Sequence, residues 1–368
     1  MSVLFSPARI GTLELKNRFV RSATNDRMVA EDGSVTDEAV DCYESLARGE
    51  VGLIITGHAY VHPLGQGSAR QMAIYDDRFV PGLARIAKRV RDLDGHIAVQ
   101  LNHAGRQTRE EIIGITPVAP SALPYGLQKT VPRELSNEEI EEIVELFVRA
   151  AGRVKAAGFD AIQLHGAHGY LISQFLSPAS NMRKDGWGGD EGRRFKFLKA
   201  ILTRVKEEVG RDFPVFIKLA MEDFVEGGLK LSESISVAGR LRALGIDAIE
   251  TSGGFSTAMG NMKKGVLPGK GEAYFRHYAS SLKKRVDVPV ILVGGLRSLS
   301  TMEEIVDSGD ADFVSLSRPF IREPDLVLKL KAGTPAVSCI SCNRCSLSHG
   351  SELKCLELER EYAEDSAG

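Results

Sequence analysis

Short β-rich runs recur along this chain, several of them nearly continuous in apolar residues rather than alternating with polar positions. They fall at 19–23 (FVRSA), 51–57 (VGLIITG), 96–101 (HIAVQL), 159–164 (FDAIQL), 213–219 (FPVFIKL), 246–251 (IDAIET), 288–294 (VPVILVG) and 312–317 (DFVSLS). A strand with one wet face alternates; continuous apolar runs of this length fit parallel strands covered on both faces. Between them lie stretches of helical period at 37–49, 79–94, 137–158, 193–210, 232–245, 275–286 and 301–309. Glycine or a charged residue closes most of them. Eight strands alternating with helices predict an α/β protein, a closed (β/α)8 TIM barrel, since one repeated unit accounts for most of the chain. No G-x-G-x-x-G follows the first strand, which removes the doubly wound alternative. The expected organisation is a barrel over 1–335 and a short cysteine-rich extension over 336–368, whose charged end after Leu356 is expected to fray.

Barrels of this kind carry their chemistry at the C-terminal strand ends. The long connections at 103–137 and 252–274 follow strands three and six, so they belong on that rim as extended, shaped loops. Ser22, Ala23, Thr24 and Asn25 close the first strand, and Thr56, Gly57 and His58 the second. Gln100 ends the third, with Asn102, His103 and Arg106 just beyond. The fourth opens into His165-Gly166-Ala167-His168-Gly169-Tyr170, Lys218 lies near the end of the fifth, and Gly294-Gly295 and Ser317-Arg318 follow the seventh and eighth. Packing alone does not require donors from almost every strand.

Gly294, Gly295 and Arg318 predict an anion site, because glycine lets backbone N–H groups approach a phosphate and arginine adds a planar fork. Lys218 reads as a fixed cation beside a ring or oxygen that gains negative charge. The two imidazoles and the phenol form a hydrogen-bonding and protonation set rather than a metal site, since no acidic residue stands at H-E-x-x-H spacing. Gly166 and Gly169 are expected to supply the sharp turn that aims all three.

The 368 residues are 43% hydrophobic and 26% charged, with a formal net charge of -2. That balance gives no electrostatic case for nucleic acid or an anionic membrane. No apolar run approaches a membrane span and the first residues lack the pattern of a signal peptide, so a cytoplasmic protein is expected. Of five cysteines, four lie between 339 and 355, a poor disulfide scaffold and a good metal-site candidate. Cys339, Cys342, Cys345 and Cys355 form C-x2-C-x2-C plus one, which suits a [4Fe–4S] cube better than a zinc site with cysteines paired two and two.

The segments LFSPARIGTLELKNRFVRSA, VQLNHAGRQ, AGFDAIQLHGAHGYLISQFLSPASNMRKDGWGG, VILVGGLRS and ADFVSLSRPFIREPDL resemble the old yellow enzyme family of FMN-dependent oxidoreductases, over residues 4–330. The cysteine tail resembles the branch with dienoyl-CoA reductases and trimethylamine dehydrogenase. The resemblance implies an FMN-binding barrel that takes hydride from NADH or NADPH and reduces the activated C=C bond of an enone-like small molecule. It implies that Gln100 and Lys218 contact the flavin pyrimidine and that Ser22, Ala23, Thr24 and Gly57 belong to the same cofactor site. Gly294, Gly295, Ser317 and Arg318 match the phosphate end. His165 and His168 match the pair that holds a substrate carbonyl oxygen, and Tyr170 the proton donor. A homo-oligomer is expected, and an electron-transfer partner or an oxidative dehydrogenase role if the tail carries a cluster. Three positions depart from the family: Lys218 replaces an arginine, Asn25 a threonine or cysteine, and in WGGDEGRRF the usual Glu-Asn-Arg gives way to Gly192-Arg193-Arg194 with Glu191 displaced.

Overall fold

In the computed structural model, which describes residues 2–124, 130–255, 263–347 and 353–367, the eight apolar runs form one closed parallel barrel. Its strands are β1 (Phe19–Arg21), β2 (Leu53–Tyr60), β3 (Ile97–Asn102), β4 (Ala161–Gly166), β5 (Val215–Ala220), β6 (Ile249–Ser252), β7 (Val290–Val293) and β8 (Phe313–Leu316). Each pairs in parallel with its sequence neighbour, and β8 pairs with β1 to close the ring. The predicted helices follow as α1 (Asp37–Arg48), α2 (Val80–Arg91), α3 (Asn137–Ala156), α4 (Glu191–Val209), α5 (Leu231–Ala243), α6 (Arg276–Lys283) and α7 (Leu299–Asp307). Their apolar faces pack on the outer faces of the strands in one continuous core. Ser136 and Glu139 start α3 with a reciprocal capping box.

The inner face explains why the strands read as continuous. Val20, Ile55, Ala98, Ala161, Phe216, Ala248, Ile291 and Phe313 form an apolar inner layer. Two residues further along most of these strands the same inward face becomes polar, with Gln100, Gln163, Lys218, Glu250 and Ser315. The register sets Gln100 opposite Gln163 and Lys218 opposite both His165 and Glu250. An N-terminal hairpin, Ala8–Ile10 with Leu13–Leu15, places Ile10 and Leu15 in the apolar inner layer. The amphipathic pattern did not single out that hairpin.

Three local features differ from the sequence reading. Strand β2 runs to Tyr60 and shifts register between Ile55 and His58. The strand β4 extends through His165, which is therefore a strand residue and not a loop residue. The segment after Leu356 forms α10 (Leu356–Ala367), held by ion pairs of Glu357 with Arg344 and of Glu361 with Arg322. Before it come α8 (Arg318–Arg322) and α9 (Leu326–Lys331). Parts of the two rim loops (125–129 and 256–262) and of the 346–354 connection (348–352) lie outside the described residues. The altered WGGDEGRRF segment is well supported: Asp190 caps α4, and buried Arg194 donates to the carbonyls of Leu176 and Gly189 and pairs with Glu233 at 2.5 Å.

Candidate active site

A buried polar network crosses the barrel just above its apolar layer. Glu250, with no exposed surface, accepts from Ser22 and Ser315 at 2.8 Å each and pairs with Lys218 at 2.8 Å, all through Oε1. Its Oε2 accepts from Gln163 at 2.7 Å, and Gln163 Oε1 in turn accepts from Gln100 at 2.6 Å. Burial pushes the Glu250 carboxyl up, but the Lys218 charge and the bonds from Lys218, Gln163 and Ser22 outweigh it and hold the carboxyl below its usual value. Lys218 also donates to Ser22 at 2.9 Å. The cation foreseen at the end of β5 is thus one half of an ion pair. Gln163 and Glu250 were missed as site residues; the available signal was Glu250, a carboxylate near the C-terminal end of the strand in IDAIET.

Above this layer is a cavity of about 300 Å³. Ser22, Ala23, Lys218, Gly294, Gly295, Ser317 and Arg318 line it, together with His168, Ser252 and Arg297. Thr24, Gly57 and Gln100 do not. Thr24 and Ser317 share a hydroxyl bond of 2.8 Å, Gly57 N–H donates to the Tyr43 hydroxyl at 2.9 Å, and Gln100 stays in the network below. Asn25 donates to Ser68 at 2.9 Å.

The cavity suits a phosphate-bearing ring cofactor. At Gly295 φ is +75°, and a Cβ there would stand 2.7 Å from the Tyr274 ring, so only glycine keeps this wall open. Arg297, only 2% exposed, lines the same wall and its Nε has no partner among the described residues. A buried guanidinium with an unused N–H beside a glycine turn fits an anionic group. Arg297 was not foreseen.

His165, His168 and Tyr170 come together as expected. The His165 ring lies 4.6 Å from Tyr170 and 5.2 Å from His168, edge to face. The turn is made differently from the glycine expectation: His168 itself takes the left-handed φ of +61°, followed by Gly169 at +74°, while Gly166 stays in β4. Gln107 holds the strained His168 carbonyl, and His168 Nε2 meets the Ser252 hydroxyl at 2.6 Å. Burial, reinforced by His168, His58 and Lys218, holds the His165 imidazole well below its usual value, and burial with the Lys218 charge lowers His168 to about 3. Both are neutral near pH 7 and act as N–H donors or acceptors, not cations.

The cysteine segment lies against the phosphate wall. Arg297 Nη2 bonds Ser341 at 2.6 Å and approaches Cys339 Sγ at 3.9 Å, Arg318 bonds Asn343, and Arg322 approaches Cys355 Sγ at 3.7 Å. The Cys345 thiol is pushed up to about 11 by burial first and by Cys339, with Cys342 and Cys355 adding and Arg318 opposing. Among the described residues, however, no three His, Cys, Asp or Glu side chains are gathered closely enough to hold a metal ion, and no disulfide joins the cysteines. The ligand set expected from C-x2-C-x2-C is therefore not assembled in this structure.

Residues 3–336 match the model of the NADH:flavin oxidoreductase / NADH oxidase family. The chain belongs to this family, the old yellow enzymes. It is 42% identical over 345 residues to an NADH oxidase of Thermoanaerobacter brockii, a match covering 92% of this chain and 52% of that protein. Against an NADPH dehydrogenase of Bacillus subtilis it is 36% identical, covering 87% of this chain and 92% of the relative. Among solved structures, a 2-naphthoyl-CoA reductase superposes with a TM-score of 0.88 at 29% identity, over 93% of this chain and 54% of that one. The chain thus spans about half the length of the first curated relatives it matches, at 52% each. No helix among the described residues of this old yellow enzyme is long and apolar enough to cross a membrane.

Proposed function

We propose that this family member is an FMN-dependent reductase that uses NADH or NADPH to saturate the activated C=C bond of an α,β-unsaturated carbonyl compound. The observation that carries the reading is the Tyr170–His165 pair, rings 4.6 Å apart, beside a cavity walled by Lys218, Gly295 and two arginines. FMN, when bound, supplies hydride from N5 to the alkene β-carbon. Lys218, Ser22 and Ala23 would hold its pyrimidine edge, with Gln100, Thr24 and Gly57 acting from behind that wall; Gly294, Gly295, Ser317 and Arg318, joined by Arg297, would hold its phosphate. His165 donates to the carbonyl oxygen as negative charge builds there, an effect worth about 3–4 kcal/mol for a prearranged donor, and His168 joins it by exchanging its Ser252 contact for that oxygen. Tyr170 delivers the proton to the α-carbon. It is buried to 9% exposure, so bulk water does not readily take its place.

The test separates the half-reactions by anaerobic stopped flow. Tyr170→Phe is expected to leave reduction of FMN by nicotinamide near the wild-type rate and to slow cyclohexenone turnover by about 10²–10⁴-fold. Equal slowing of both steps removes Tyr170 from the acid role.

A second reading, an oxidative dehydrogenase or electron-transfer subunit with a cluster and a partner, draws on the contacts of Arg297 and Arg322 with Cys339 and Cys355. Among the described residues the four thiols are not gathered at ligating spacing. We further propose that the chain forms a homo-oligomer and divides at about residue 335 into barrel and cysteine-rich extension.

A further inference from the structure

Strand β2 pairs Ile55 with Ala98 but His58 with Gln100, so three residues of β2 advance against two of β3. Ile55 and Ala98 both belong to the inner layer, and Gln100 faces inward above them. Without the extra residue the inward position would fall on Gly57. The bulge turns His58 inward instead, the kind of re-aiming that bulges provide beside active sites. There the His58 ring lies 5.2 Å from the Tyr170 ring and 6.0 Å from the His165 ring, closing a triangle whose third side is the 4.6 Å His165–Tyr170 contact.

Hydrogen bonding through Gln71 fixes the tautomer of His58. Gln71 Oε1 accepts the backbone N–H groups of Gly67 at 2.7 Å and Ser68 at 3.3 Å, and backbone N–H can only donate. The Gln71 amide nitrogen therefore faces His58, donating to its carbonyl at 3.0 Å and to Nδ1 at 2.8 Å. Asn102 approaches the same Nδ1 through its amide nitrogen at 3.0 Å. Nδ1 is an acceptor, so the ring proton sits on Nε2, which no described residue bonds. His165 is fixed likewise, though more loosely, by Ala167 N–H at 3.4 Å from its Nδ1. His168, by contrast, already engages Ser252 through Nε2.

We propose that His58 is a third substrate-facing histidine, whose Nε2–H joins that of His165 in binding the substrate oxygen that becomes negative, next to the Tyr170 hydroxyl. The inference rests on the ene-reductase reading above and adds a residue to it. Burial lowers the His58 imidazole to about 4, so the donor is neutral and keeps its proton on Nε2 across the physiological range. It favours substrates whose reacting oxygen offers lone pairs to two imidazoles at once, and phenolates, which hold a full negative oxygen in that place.

The experiment is titration calorimetry of the FMN-loaded protein with 4-chlorophenol and, as a probe with the same ring and an oxygen that cannot ionise, 4-chloroanisole. His58→Ala is expected to weaken 4-chlorophenol by on the order of tenfold or more, the loss of one hydrogen bond to a charged acceptor, and to leave 4-chloroanisole within about twofold. His58→Gln, whose amide N–H reaches in the same direction, is expected to recover part of the loss. Unchanged 4-chlorophenol binding in both variants, or equal weakening of both probes, overturns the role of His58. Wild-type protein that binds 4-chlorophenol tightly in that case leaves the parent reading standing. Wild-type protein that retains no FMN overturns both.

Discussion

Glu250→Gln keeps the shape of the side chain at the centre of the barrel and removes its charge. Lys218, 3% exposed on its side chain, then remains a cation with the neutral Ser22 hydroxyl 2.9 Å away and no counter-charge in the network. Leaving one partner of a buried pair alone costs about 3–5 kcal/mol. The new amide adds a directional conflict. If its NH2 replaces Oε2 it faces the Gln163 amide nitrogen, donor against donor, and Gln163 cannot turn without giving up the 2.6 Å bond from Gln100. If it replaces Oε1 it faces the Lys218 ammonium. The expected loss is therefore about 3–5 kcal/mol, out of a total stability of roughly 5–15 kcal/mol for a domain.

Urea unfolding without added FMN keeps cofactor binding out of the comparison. Lys218→Met should cost a similar amount, because it strands the carboxylate, and the double variant should be less destabilised than the sum of the two, since neither charge is then left alone. A Glu250→Gln protein within about 1 kcal/mol of wild type, below the range for breaking a buried pair, would refute the reasoning. So would strict additivity of the two substitutions. The pH sign follows from the direction of the shift. A carboxyl held below its usual value of 4.5 stabilises the fold above that pH, and the contribution is lost as pH falls further.

The buried histidines predict acid lability at a higher pH. Burial lowers His58 to about 4 and His103 to about 3, the latter helped by His62, and holds His165 well below its usual 6.5, so below pH 6.5 the unfolded chain binds protons that the folded one refuses. With His168, lowered to about 3, as the fourth such group, stability should fall by up to about 5 kcal/mol per pH unit, read from urea midpoints between pH 7.5 and 5; a flat profile contradicts it. Gly295→Ala places a methyl 2.7 Å from the Tyr274 ring at φ +75°. A free protein that relaxes out of this turn escapes the left-handed penalty of about 1–2 kcal/mol and must take it up again on binding, so FMN should weaken by roughly tenfold in a fluorescence titration; an unchanged affinity would show that this turn does not touch the cofactor. If the cysteine tail closes on a cluster, anaerobic reconstitution should load about four irons and four sulfides per chain, and replacing Cys342 by Ser should abolish it; no incorporation by the wild type ends the cluster proposal.

The pattern of apolar runs determines the barrel. Eight bifacially apolar strands separated by amphipathic helices have few other ways to bury both faces, and each strand stands within a few residues of its expected place. The HGAHGY turn, Lys218 and the Gly294-Gly295 wall were legible for a related reason: polar groups at the end of an apolar run have no packing role to explain them. What the sequence leaves open is which polar groups face one another. Glu250 looks like a stray charge until the β5–β6 register sets it against Lys218. Arg297 reads as an ordinary loop residue until the fold buries it on the cavity wall with Gly294 and Gly295, beside Cys339. His58 shows the limit most plainly. Side chains alternate with a period of two, so a single extra residue in β2 decides whether the imidazole meets the barrel interior or the helices outside. That residue is set by hydrogen bonding between strands some forty residues apart, and only the closed barrel fixes it.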